Sequence, residues 1–325
     1  MSRPLNLGIL SDVHYAGALE QAEGDDFEFR NLKNSLLKSV ARLYRHYVWL
    51  RQPLRLNHLL DTCLEKLKDA DYVVANVDYC CNTQSVGVCD DGACDSAQEC
   101  LGKLRAKFDP NFRATFGDHE LGKMSMFGGR GGMRLASFKR ACDQLQLQPF
   151  WRLEVGNYLL LGVTSSLIAL PIFERDTLPE ELPDWRKLRE QHLTEIRAAF
   201  ESLGASQRVL LFCHDPTALP FLWFEEVVRQ HSAQIDQTII GHLHSPLILW
   251  EGRLLAGMPV IRFLGHAVER MSKALHEGKY WKPFKVRLCP SLAGVELLKD
   301  GGFLTASLDP EAKSPPRFQS HPLPR

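Results

Sequence analysis

Five short apolar runs, each ending on aspartate or histidine, constrain this chain more than any other feature. Leu5–Ser11 runs into Asp12 and His14, and Tyr72–Val77 into Asp78. Arg113–Gly117 runs into Asp118 and His119, Val209–Cys213 into His214, and Thr238–Gly241 into His242 and His244. Runs this short and this apolar predict strands buried on both faces, as in a parallel sheet. In open α/β sheets the functional crevice lies beyond the carboxyl ends of the strands. An α/β fold would therefore gather all these polar residues in one place. Extended chain points residues two apart the same way, so Asp12/His14 and His242/His244 are expected to reach the site as pairs.

A chain of 325 residues is long enough for one large α/β domain with insertions. The 39 basic residues balance 39 acidic ones, so no global field for nucleic acid or a membrane is expected. Nucleic acid is accordingly not an expected partner. No apolar stretch approaches the roughly 20 residues of a spanning helix, and Met1-Ser2-Arg3-Pro4 leads straight into a strand without a secretory leader. The expected location is cytoplasmic. Five of the nine cysteines cluster at Cys80, Cys81, Cys89, Cys94 and Cys100, without a C-x-x-C pair. Reduced, mainly structural thiols are the expectation, with an accessory metal or redox site as the alternative.

Along the chain, strands are expected at 5–11, 71–78, 113–118, 208–213 and 236–240, with a hairpin formed by Trp151–Glu154 and Tyr158–Thr164. Helices are expected near 57–69, 96–107, 133–145 and 221–231, and from Pro183 to Leu203 with Asp184 as N-cap. Short strands are expected at 246–250, 253–256 and 259–264, and a last β-section over 284–309. The domain would occupy residues 1–312, with insertions at about 24–56 and 79–111, and 313–325 would be an extended Pro-rich tail. Within the first insertion, Phe27 to Leu50 has helical apolar spacing and carries Arg30, Lys33, Lys38, Arg42 and Arg45. It reads as a helix packed on the sheet with a solvated basic face. The alternative is a basic amphipathic helix making a peripheral contact with the inner membrane surface.

The ordered blocks Asp12-Val13-His14, Asp78, Gly117-Asp118-His119-Glu120, His214 and Gly241-His242-Leu243-His244 resemble the calcineurin-like metallophosphoesterase family. That family's pattern is D-x-H, G-D, G-N-H-(D/E), H and G-H-x-H, and the resemblance spans residues 5 to about 266. It implies a four-layer α/β/β/α sandwich with two divalent metal ions. Imidazole and carboxylate ligands suit manganese first, then iron or zinc. By resemblance, Asp12, His14 and His244 would hold one ion, Asp118, His214 and His242 the other, and Asp78 would bridge them. His119 would act beside the phosphate as proton donor or transition-state stabiliser, and Glu120 would orient its block. The implied activity is hydrolysis of a phosphoester or phosphoanhydride by a metal-bound hydroxide attacking in line. His266, after another apolar run, is a weaker candidate for the rim.

Two positions depart from the pattern. Val77 stands where the family has glycine before the bridging aspartate, which implies a different local turn. Asp118 replaces asparagine, adding a charge that grips metal but repels phosphate. Arg130 and Arg134, flanking the Gly-rich segment Gly128–Gly132, are the expected phosphate-binding groups, with Lys123 behind them. The substrate would be a phosphorylated small molecule or a lipid-linked one. The lipid reading, like the family branch that cleaves UDP-2,3-diacylglucosamine in lipid A synthesis, joins the basic insertion to the apolar stretch Leu219–Phe224. A reading of another class is a non-catalytic scaffold with the same fold.

Overall fold

A computed structural model describes residues 3–124, 130–260, 272–273 and 275–324. Among the described residues, ten strands form two five-stranded sheets. The first contains β1 (Leu5–Leu10), β2 (Tyr72–Ala75), β3 (Phe112–Ala114), β9 (Gly302–Leu308) and β10 (Arg317–Pro322), in the order β10-β9-β1-β2-β3. The second contains β4 (Phe150–Val155), β5 (Tyr158–Val163), β6 (Arg208–Cys213), β7 (Ile235–Ile240) and β8 (Val286–Leu288), in that order. β1, β2 and β3 run parallel, as do β5 through β8, whereas β9, β10 and the β4–β5 hairpin pair antiparallel.

Side-chain alternation sets the layers. On β1, Leu7 and Ile9 point into a core shared with Leu210 and Phe212 of β6 and Ile239 of β7, so the sheets face each other. The intervening residues point outward: Leu10 and Val73 against helices such as His58–Lys66 and Asp91–Phe108, and Val209 and Leu211 against Leu182–Glu201. Both faces of the parallel strands are thus covered, which is why their sequences are continuously apolar. Trp151 lies on Gly162 of the neighbouring strand so closely that a Cβ there would sit 2.0 Å from the indole ring. Only glycine leaves room for that ring.

Several expectations are corrected. Pro246–Leu254 is a helix, capped by Ser245, where two short strands are expected. A run such as Leu247-Ile248-Leu249-Trp250 is too short for periodicity to separate strand from helix. Of the expected strand 259–264, residues 261–264 lie outside the described residues, and 259–260 are not in a strand. The helix beginning in the cysteine-rich stretch is longer than expected, Asp91–Phe108, because Asp90 accepts from the Ala93 N–H as its N-cap. Asp184 lies in the first turn of Leu182–Glu201, whose N-cap is Glu181. Two short helices, Leu219–Phe224 and Glu226–Gln230, replace the single one expected near 221–231. Within the Pro-rich stretch expected as a tail, β10 pairs along β9. All nine cysteines are unpaired, and the Cys80, Cys81, Cys94 and Cys100 thiols are buried.

The basic insertion is not one helix packed on the sheet. It is a turn at Phe27–Phe29, a helix over Ser35–Tyr44 capped by Asn34, and a π-turn over Arg45–Trp49. Ser35–Tyr44 buries only Ala41, and its leucines stand in solvent. Three of its expected solvated cations are spent on acids of the same insertion: Arg30 on Glu23, Arg42 on Asp26 and Arg45 on Glu28. Conversely, Leu219, Pro220 and Leu222 of the other apolar stretch are core residues. No described helix is long and apolar enough to cross a membrane.

Candidate metal centre

The five polar blocks follow β1, β2, β3, β6 and β7, so they converge from both sheets. The ligand atoms fall into contiguous groups whose members lie within 4.8 Å of one another: Asp12, His14 and His244; His14, Asp78 and His119; and Asp78, Asp118, His214 and His242. His14 and Asp78 belong to two groups each and join the whole. The i, i+2 pairs do not reach the site by extended backbone. Asp12, His14, His242 and His244 all adopt positive φ, at 45°, 49°, 60° and 59°. Such conformations are costly for residues with a Cβ and tend to gather at functional sites.

Local interactions over-determine this backbone. The Val13 and His14 N–H groups both donate to the Asp78 carbonyl, at 3.1 and 3.0 Å. The His242 N–H donates to Asp12 Oδ1 at 3.1 Å. Ser11 Oγ, with one proton to share, lies within hydrogen-bond reach of the Asp12 carboxylate and of the Asn76 carbonyl. A Cβ on Gly241 would lie 2.0 Å from Ser11 Oγ and 2.7 Å from Asp12 Oδ2. A Cβ on Gly117 would lie 2.1 Å from Asp78 Oδ1 and 2.5 Å from the Val77 carbonyl. The close approach expected of a glycine before Asp78 is therefore supplied by Gly117, and Val77 is free to be a core residue.

His119 sits beside Asp78, its N–H donating to Asp78 Oδ1 at 3.0 Å and its Nε2 lying 3.8 Å from Oδ2. Its Nδ1 faces the Cys80 carbonyl at 3.1 Å, a pure acceptor, so Nδ1 carries the proton. Glu120 is fully buried and accepts from the N–H groups of Tyr79 at 2.8 Å, Cys80 at 3.3 Å and Gly117 at 3.1 Å. Burial, then the Asp78 charge, pushes its carboxyl up to about 8.

A metal fits these residues. The buried His214 Nε2 makes no hydrogen bond, yet faces Asp78 Oδ2 at 3.3 Å and Asp118 Oδ1 at 3.4 Å. Its Nδ1 donates to the Asn76 carbonyl at 3.0 Å, the outer hydrogen bond typical of a metal-binding histidine. His14 and His244 oppose Nε2 atoms at 3.4 Å, and burial first, then neighbouring positive charge, lowers both to about 3. Both rings are thus neutral, with lone pairs available to a cation. Burial pushes Asp78 up, but the charges of His119 and His214 outweigh it and leave the carboxyl below its usual range. For Asp118, Lys123 and His242 likewise outweigh burial. Burial lowers His214 and His242, but the carboxylates beside them outweigh it and raise both, so a cation bound here would take the place of their protons. Carboxylates and imidazoles in one buried place make up a donor set for divalent cations.

Of the three cations expected to bind phosphate, Lys123 contacts the candidate metal groups. Lys123 Nζ lies 3.0 Å from Asp118 Oδ2. Arg130 bonds Gln84, and Arg134 donates to the Met133 and Gly131 carbonyls at 2.9 and 3.1 Å. Gly131 and Gly132 are described, but Gly128, Gly129 and His266 lie outside the described residues. Sequence reasoning missed Asp215, buried with Oδ2 3.8 Å from His242 Nε2, and the supports Ser11 and Asn76. Asp215 directly follows His214, a position whose signal was present but unused. Among the described residues no cysteine joins a candidate metal group.

No family model matches the chain, and no curated protein matches it. A search of solved structures finds, among others, the phosphopantetheinyl hydrolase of Mycobacterium tuberculosis, 16% identical, with a TM-score of 0.34, covering 76% of this chain and 85% of that one.

Proposed function

We propose that this chain is a calcineurin-like metallophosphoesterase that hydrolyses a phosphoester or phosphoanhydride at a dinuclear centre. The observation that carries this reading is the run of contiguous Asp/His groups at strand ends of two facing sheets, with His119 beside the shared Asp78. Asp12, His14 and His244 would hold one ion, Asp118, His214 and His242 the other, and Asp78 both. Bound there, two divalent cations would supply Lewis acidity toward a phosphoryl oxygen and lower the pKa of water. Nitrogen and oxygen donors without thiolate favour manganese, iron or zinc over calcium or magnesium.

The chain's own groups do the rest. Asp78, held by the His119 N–H, keeps the two ligand groups in register. His119, its Nδ1 proton tied to the Cys80 carbonyl, would deliver a second proton from Nε2 to the leaving oxygen. Glu120 fixes the turn carrying His119 by holding three backbone N–H groups. Lys123 offsets the charge of Asp118 and draws in a phosphoryl oxygen. The experiment is elemental analysis together with turnover of p-nitrophenyl phosphate and its bis-aryl diester after Mn²⁺ is added. About two metal ions per chain with turnover supports the reading. Bound metal without turnover of either ester favours the non-catalytic scaffold instead.

A further inference from the structure

Among the described residues, the exposed large apolar side chains other than Leu19 and Phe224 gather on three segments that meet at His244 through Trp49, Ser245 and their neighbours. Leu36, Val40 and Leu43 lie on the helix Ser35–Tyr44, and Tyr47 follows in the next turn; Leu36 is 74% exposed and Tyr47 63%. Trp250 and Leu254 lie on Pro246–Leu254, which starts two residues after His244. Leu297, 65% exposed, lies on the third segment. These segments are tied together at the mouth of the site. The Trp49 ring packs on the His244 ring at 5.2 Å. The Glu296 and Leu297 N–H groups donate to the Trp49 and Val48 carbonyls at 2.8 and 3.2 Å. Ser245 Oγ, which caps the helix, donates to Asp300 at 2.6 Å.

We propose that this rim docks on an anionic lipid bilayer, with the mouth of the metal centre toward the headgroups. The helix Ser35–Tyr44 is anchored by its opposite edge, which leaves the apolar face free. Arg45 beneath it lies over the Phe27 and Phe29 rings at 5.2 and 5.5 Å and donates to the Asp25 carbonyl at 2.8 Å. Charge selects the occupant. Glu23, Asp26 and Glu28 are already paired with arginines of the insertion, whereas among the described residues Lys33 and Lys38 form no ion pair. Lys33 and Lys38 are thus cations left free beside the apolar face of Ser35–Tyr44, which suits anionic headgroups. Tyr44, Tyr47 and Trp250 have the amphipathic rings that settle at a membrane interface.

Docking stands apart from hydrolysis, because vesicle binding needs no turnover and a soluble aryl phosphate needs no vesicle. The test is sedimentation of the full chain with phosphatidylglycerol/phosphatidylcholine vesicles, and with phosphatidylcholine alone, at low and high salt. The chain should pellet with the anionic vesicles and be released by salt. Leu36→Glu with Leu43→Glu should weaken partitioning by about a hundredfold or more. Lys33→Glu with Lys38→Glu should weaken it by at least about tenfold, and p-nitrophenyl phosphate turnover should be unchanged in both variants. Circular dichroism checks that both are folded. A chain that stays in the supernatant at low salt overturns the proposal, as does binding that neither pair of substitutions weakens. A dimer in light scattering that Leu36→Glu/Leu43→Glu dissociates, without vesicle binding, assigns the face to a second copy and also overturns it.

Discussion

Replacing Asp78 by asparagine tests whether one carboxylate serves both halves of the centre. Asp78 shares one group with Asp118, His214 and His242, and another with His14, which in turn joins Asp12 and His244. Each metal held at a hundredfold its Kd stabilises the fold by about 2.7 kcal/mol. Unfolding entropy of about 2.1 cal/mol/K per residue gives the 325-residue chain roughly 0.7 kcal/mol/K. Each filled site should then raise Tm by about 4 °C, and two by about 8 °C. Differential scanning fluorimetry of the chelated protein, with and without Mn²⁺, reads this directly. His242→Asn touches one half and should keep roughly half of the gain. Asp78→Asn should lose nearly all of it, with elemental analysis showing both ions depleted. If Asp78→Asn keeps the full metal-induced rise, Asp78 is not the shared ligand and the reading of the centre fails.

Three further outcomes follow from particular contacts. His119→Asn should retain both metals but lower kcat by roughly 10²–10⁴, most for alkyl phosphates with poor leaving groups; unchanged steady-state turnover of an alkyl phosphate refutes the acid role. Gly162→Ala places a methyl 2.0 Å from the Trp151 ring, so it should destabilise by about 1–3 kcal/mol or more in urea unfolding, with metal stoichiometry unchanged. His192 accepts the Thr164 N–H at 3.0 Å, and burial lowers its pKa, only partly countered by Glu195. Above pH 6.5 both folded and unfolded states keep it neutral; as pH falls below 6.5 the unfolded chain takes up the proton first, so stability is lost with a slope of up to about 1.4 kcal/mol per pH unit. His192→Gln should flatten the fall in Tm between pH 6.5 and 5, and an identical fall in the variant rules the linkage out.

The sequence alone marked the five apolar runs that hold β1, β2, β3, β6 and β7, because a parallel strand covered on both faces must be apolar, although β2 and β3 end at Ala75 and Ala114, short of Asp78 and Asp118. Asp12, Asp78, His119, His214 and His242 could be read as neighbours for that reason. Tertiary structure decided the rest. Burial on both faces does not say which sheet a strand joins, so which strands make up each of the two facing sheets was illegible. The alternating left-handed backbone at Asp12, His14, His242 and His244 depends on carbonyls and glycines far away in sequence, among them Asp78 and Gly241. Proximity in sequence favoured Arg130 and Arg134 as cations for the site, but loop carbonyls and Gln84 engage them and leave Lys123 on Asp118. Helical spacing revealed an apolar face over Ser35–Tyr44, yet periodicity carries no information about what lies opposite. Only packing could show that this face is left open, while Trp49 beyond the helix packs on His244.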